Sequence, residues 1–117
     1  MSYDIDLIDQ ETKKPAAVEN HEEGGTYAIG GIKEASLNIT YNYSKSFYEH
    51  LDTEQGIRWL YGKTGKETEQ RLASAVAILG TERHDNYWEP TPGNAGYALS
   101  ILLKWARQHP TAVFEGD

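Results

Sequence analysis

The chain has 117 residues, 38% hydrophobic and 25% charged, a composition that suits one compact domain over 1–117 and excludes wholesale disorder. Its 18 acids against 11 bases leave a formal charge of -7. That disfavours direct, sequence-independent nucleic-acid binding, which needs surplus Lys and Arg, and the lack of cysteine excludes disulfides, thiolate zinc sites and thiol catalysis.

Tyr3–Asp9 alternates, with Tyr3, Ile5 and Leu7 on one face and Asp4 and Asp6 on the other, the period of a half-buried strand. QETKKP (Gln10–Pro15) breaks it with turn chemistry, and the acidic stretch Ala16–Gly25 reads as a loop. Thr26–Ile29 is a short strand, and Gly30-Gly31 supplies a tight reversal. Glu34–Tyr43 is the clearest strand pattern, with Leu37, Ile39, Tyr41 and Tyr43 on one face.

From Ser44 the period changes to helical. Ser44 is suited to cap a helix through Phe47, Tyr48 and Leu51, and a short turn follows through Ile57 and Leu60 to Gly62. Thr64-Gly-Lys-Glu67 has capping-box spacing ahead of Leu72, Ala75, Val76 and Leu79, with Gly80 as the stop. Thr81–Pro90 is a polar loop. Thr91 and Pro92 start a last helix striped with Ala95, Leu99, Leu102, Leu103 and Ala106, which Pro110 ends before a tail, Thr111–Asp117. Strands first and helices second predict an α+β domain: about three mostly antiparallel strands packed against about three helices, with Trp59 and Trp105 in the core between them.

Chemical motifs are sparse. Gly62-Lys63-Thr64 resembles the end of a P-loop, but Gly56 lies one residue too far upstream and the intervening residues are too bulky to wrap a phosphate. The carboxylates of Asp4, Asp6, Asp9 and Glu11 lack the glycine of a calcium loop and suit the wet side of an edge strand. The asparagines of Asn38-Ile39-Thr40 and Asn42-Tyr43-Ser44 are read as cross-strand hydrogen-bonding residues on a polar strand face. His21, His50 and His84 neighbour carboxylates in sequence, an arrangement that points side chains apart in regular structure, and no metal-ligand spacing occurs. No catalytic residue, metal or cofactor is assigned.

Two segments stand out as recognition material: TYNYS (Thr40–Ser44) and the loop into the last helix, YWEPTPGNAG (Tyr87–Gly96). Tyr41, Asn42, Tyr43, Trp88, Thr91 and Asn94 are the candidate ligand- or partner-binding residues. Aromatic side chains offer flat contact area, and the small residues at the helix start admit either a ligand or a backbone.

Together, GGTYAIGG (Gly24–Gly31), NITYNYS (Asn38–Ser44), YGKTG (Tyr61–Gly65) and the ending YWEPTPGNAGYAL…HPTAVFEGD resemble a set of small, acidic, uncharacterised bacterial proteins, some associated with phage or prophage genomes. The resemblance implies a small non-enzymatic accessory or inhibitor protein and carries over no functional residue.

Acid is concentrated in the first half: residues 1–58 hold 11 acids and 5 bases, residues 59–117 hold 7 and 6. The expected function is therefore non-enzymatic binding of a basic protein partner, steered by that charge. The alternative is a small-molecule or anion pocket walled by the TYNYS and TPGNAG segments. With no apolar run near the ~20 residues that span a bilayer and no signal-peptide pattern at Met1–Gln10, the expected location is the cytoplasm, without membrane contact. Oligomeric state is open.

Overall fold

In a computed structural model, residues 1–19, 26–28 and 33–117 are described, 26–28 as backbone alone. The predicted Gly30-Gly31 reversal, the end of the acidic loop and His21 lie outside the described residues.

The alternation near the N-terminus becomes β1 (Ser2–Ile8), with Tyr3, Ile5 and Leu7 buried. It pairs antiparallel with β3 (Ser36–Thr40), which pairs antiparallel with β2 (Thr26–Ala28). Between β1 and Pro15, the Asp9 carboxylate closes the QETKKP turn by accepting from the Glu11 and Thr12 amides at 2.8 and 3.3 Å.

The predicted tail is a strand. β4 (Val113–Gly116) pairs antiparallel with β1, giving the order β2-β3-β1-β4 and placing Phe114 beside Leu7 in the core. The predicted long strand Glu34–Tyr43 is shorter than its alternation suggests. Thr40 Oγ1 accepts from the Asn42 amide at 3.2 Å and turns Tyr41–Tyr43 into a 3-10 turn. Ser44 is the first residue of α1 (Ser44–His50) rather than its cap, and its hydroxyl donates to the Tyr41 carbonyl at 2.7 Å.

A second 3-10 turn, Gly56–Leu60, buries Ile57 and Leu60. Thr64 and Glu67 then form the full capping box of α2 (Gly65–Leu79), and Gly80 ends it at φ 76°. Thr91 caps α3 (Pro92–Gln108), whose apolar stripe is buried throughout. Each fully buried Leu, Ile or Phe in this core contributes roughly 1.5–3 kcal/mol through removal of apolar surface from water.

Helices α2 and α3 run antiparallel and touch closely at both ends. A Cβ on Gly65 would stand 2.6 Å from the Ala106 carbonyl oxygen, and one on Gly96 would collide with the Gly80 carbonyl. Trp105 is core as predicted, but Trp59 is only partly buried. Its ring carries the Arg71 guanidinium 4.1 Å and the Lys63 ammonium 4.5 Å from its centroid. Among the described residues, no helix is long and apolar enough to cross a membrane.

Candidate functional site

Five of the six candidate residues converge on the loop between α2 and α3. From one side comes the 3-10 turn after β3. It exposes Asn42 and buries Tyr43. The Asn42 side-chain amide donates to the Trp88 carbonyl at 2.9 Å, and the Tyr43 hydroxyl donates to the Tyr87 carbonyl. Burial pushes the Tyr43 phenol up to about 12, with Arg83 pulling weakly the other way.

From the other side comes the first turn of α3. Thr91 Oγ1 accepts from the Asn94 amide at 3.1 Å. Asn94 is only 2% exposed, and its side chain is spent on the loop. Its oxygen accepts from the His84 amide at 2.9 Å, and its nitrogen donates to the Glu89 and Asn86 carbonyls at 2.9 and 3.2 Å. Asn86 closes the tip, accepting from the Trp88 amide at 3.1 Å through its side chain and from the Glu89 amide at 3.1 Å through its carbonyl.

This clamp displays an aromatic pair. Trp88 is 48% exposed, and its ring lies 4.3 Å from that of Tyr87 at an interplanar angle of 34°. Large aromatics are usually highly buried, so an exposed one on a backbone tied from two elements is an unusual use of ordering entropy. Glu82, Asp85 and Glu89 make the loop acidic, and its one arginine, Arg83, sits 4.6 Å over the Tyr97 ring.

Tyr41 lies elsewhere. Its ring meets Tyr3 edge-on at 4.6 Å, and its hydroxyl accepts from Arg58 at 3.3 Å. The glycines of the α3 start admit backbone: a Cβ on Gly93 would collide with the Glu82 carbonyl. The TYNYS segment and Asn94 thus meet opposite sides of the same loop, whose backbone takes up the polar groups of Asn94. Tyr87 and Asn86 were not singled out individually as candidates. The repeated turn-forming asparagines around Trp88 were the available signal.

A second feature is the outer side of the sheet. Asp4 pairs with Asn38, whose amide donates to the Asp4 carboxylate and to Ser2 Oγ, each at 2.6 Å. Asp6 pairs with Glu115 across β1 and β4.

The described histidines are dispersed. His50 Nε2 stands 3.6 Å from Glu49 Oε2, so these sequence neighbours do not point fully apart. His84 Nδ1 accepts from the Asn86 amide at 2.9 Å, and His109 Nε2 lies 2.9 Å from the Ala17 carbonyl. Among the described residues, no group of three or more His, Asp or Glu side chains could hold a metal ion.

No protein-family model, no curated protein and no solved structure matches this chain.

Proposed function

We propose that this chain is a non-enzymatic binding protein that acts on a basic macromolecular partner through its surface, with Trp88 as the anchor. The observation that carries the reading is the exposed Trp88, packed beside the half-buried Tyr87, on a loop fixed by Asn42, Tyr43 and Asn94. Binding hot spots favour Trp and Tyr, and an anchor held in its bound geometry avoids the ordering cost of association. The charge of -7, the acidic loop and the carboxylates on the outer sheet favour a partner with a positive surface. The pocket reading at the same segments is less well supported, because the polar atoms of Asn94 are engaged within the chain.

The test is affinity capture at low salt, followed by titration of the purified partner. Trp88→Ala is expected to weaken binding by about 30-fold, as a loss of ~2 kcal/mol at a hot spot implies. Asp85→Asn with Glu89→Gln is expected to slow association and flatten its salt dependence. A partner that binds Trp88→Ala as tightly as wild type, with no effect of ionic strength, contradicts the proposal.

A further inference from the structure

We infer that the groove between α1 and α2 binds a small molecule carrying a phosphate-type oxyanion on an apolar body. This site is separate from the Trp88 loop and does not depend on it. The groove has a volume of about 490 Å³, within the roughly 300–1,000 Å³ usual for small-molecule sites.

One wall is a stripe of α2: Glu67, Gln70, Arg71 and Ser74, at i, i+3, i+4 and i+7. The facing wall is His50 at the end of α1, and Leu51 and Trp59 supply the apolar part. Arg71 is fixed before any ligand arrives. Its Nη1 donates to Asp52 Oδ1 at 3.1 Å, and its guanidinium lies 4.1 Å from the Trp59 ring centroid. Asp52 is itself held, its other oxygen accepting from the Gln55 and Glu54 amides at 2.8 and 3.2 Å. Arg71 is still 45% exposed and lines the groove.

The neighbouring donors are unspent. Among the described residues, the side chains of Gln70 and Ser74 make no hydrogen bond, and His50 has only the Glu49 contact at 3.6 Å. A preset guanidinium beside an amide, a hydroxyl and an imidazole is a donor set that suits oxyanion oxygens. By contrast, the polar atoms of Asn94 at the other loop are engaged in holding the chain.

Glu67 is the one carboxylate in the lining, and one of its oxygens already accepts from the Thr64 amide at 2.9 Å. It lies seven residues from Ser74, about 10 Å along a helix at ~1.5 Å per residue. The oxyanion therefore belongs at the Arg71–Ser74 end, with the ligand body extending over Leu51 and Trp59.

The probe is phenyl phosphate, titrated into the full chain while the Trp59 indole and Arg71 Nε resonances are followed. Saturable binding at millimolar ligand is expected. Inorganic phosphate should bind more weakly, and phenol should give no saturable shift. Arg71→Gln and Ser74→Ala should each weaken binding, the first at least tenfold (about 1.4 kcal/mol). Ser74→Ala keeps the test valid if loss of the Asp52 contact disturbs Arg71→Gln. Trp88→Ala should leave phenyl phosphate binding unchanged, which separates this site from the partner surface. No saturable shift at millimolar phenyl phosphate, equal binding of phenol, or affinity unaltered in both groove variants overturns the inference.

Discussion

Asp6 and Glu115 stand directly opposite each other across β1 and β4, two carboxylates on the outer side of a sheet whose inner side at the next pair is Leu7 against Phe114. Like charges in this position repel, at roughly 0.2–1 kcal/mol per cross-strand pair. Asp6→Asn is therefore expected to stabilise the chain by up to about 1 kcal/mol at low salt. The gain should shrink as salt screens the pair. Denaturant unfolding at two ionic strengths measures it. A destabilised Asp6→Asn would mean that Asp6 has a favourable partner.

The Tyr61 hydroxyl is buried without a hydrogen-bond partner among the described residues. An unsatisfied polar atom costs stability that an apolar replacement recovers. Tyr61→Phe is expected to be neutral or stabilising by up to ~1 kcal/mol in thermal unfolding. A loss of more than that would show the hydroxyl to be satisfied.

Alkaline pH should unfold the chain through its buried phenols. Burial raises Tyr43 and Tyr61 to about 12 from an ordinary 10, with Arg83 and Arg58 respectively opposing. The fold favours the neutral phenol, so their contribution is complete below pH 10 and is lost as pH rises from 10 toward 12. Phenolate absorbance and unfolding should advance together in that window. Tyr43→Phe should remove its part of the slope. Titration of every tyrosine near 10 with the fold intact would contradict the assignment.

Much of this architecture is written in local chemistry, and the exceptions have physical causes. The capping box at Thr64 and Glu67, the Thr91-Pro92 start and the Tyr3–Leu7 alternation each depend on neighbours a few residues apart. β4 has only two large apolar residues, Val113 and Phe114, and its partner β1 lies at the other end of the chain, so no local period marks it. Tyr41 and Tyr43 continue the strand alternation, but the Thr40 hydroxyl ends the strand first. At the candidate site, the aromatic and small residues of the TYNYS and YWEPTPGNAG segments single out two stretches that the structure brings together at one loop. Their division into clamp (Asn42, Tyr43, Asn94) and displayed surface (Trp88) depends on hydrogen bonds across 5 to 46 positions of sequence. The α2 stripe of Glu67, Gln70, Arg71 and Ser74 does not stand out in the sequence, because a polar helix face ordinarily marks solvent, and its facing wall comes from distant residues.

Close packing of α2 on α3 makes a further claim. A Cβ on Gly96 meets the Gly80 carbonyl, which is backbone and cannot swing away. Gly96→Ala should destabilise by about 1–3 kcal/mol, the usual range for overpacking, despite the better helix propensity of alanine. A stabilised variant would show that the helix ends are loosely held.

The loop clamp separates two substitutions by what each impairs, stability or binding. Asn94→Ala leaves the His84 amide and the Glu89 and Asn86 carbonyls without their partner, and a loss of roughly 2–4 kcal/mol in unfolding is expected from stranded polar groups. Trp88→Ala removes a half-exposed ring and should change stability by less than about 1 kcal/mol while impairing binding.

The most direct test of the central claim, that Trp88 is displayed on a fixed loop for recognition, is hydrogen exchange of the amides of His84, Trp88 and Glu89 in the isolated chain. These amides bond Asn94 Oδ1, Asn86 Oδ1 and the Asn86 carbonyl. Exchange slowed by about 100-fold or more, and restored to open-chain rates by Asn94→Ala, is the expected result. Open-chain rates in the wild type would contradict a preset anchor.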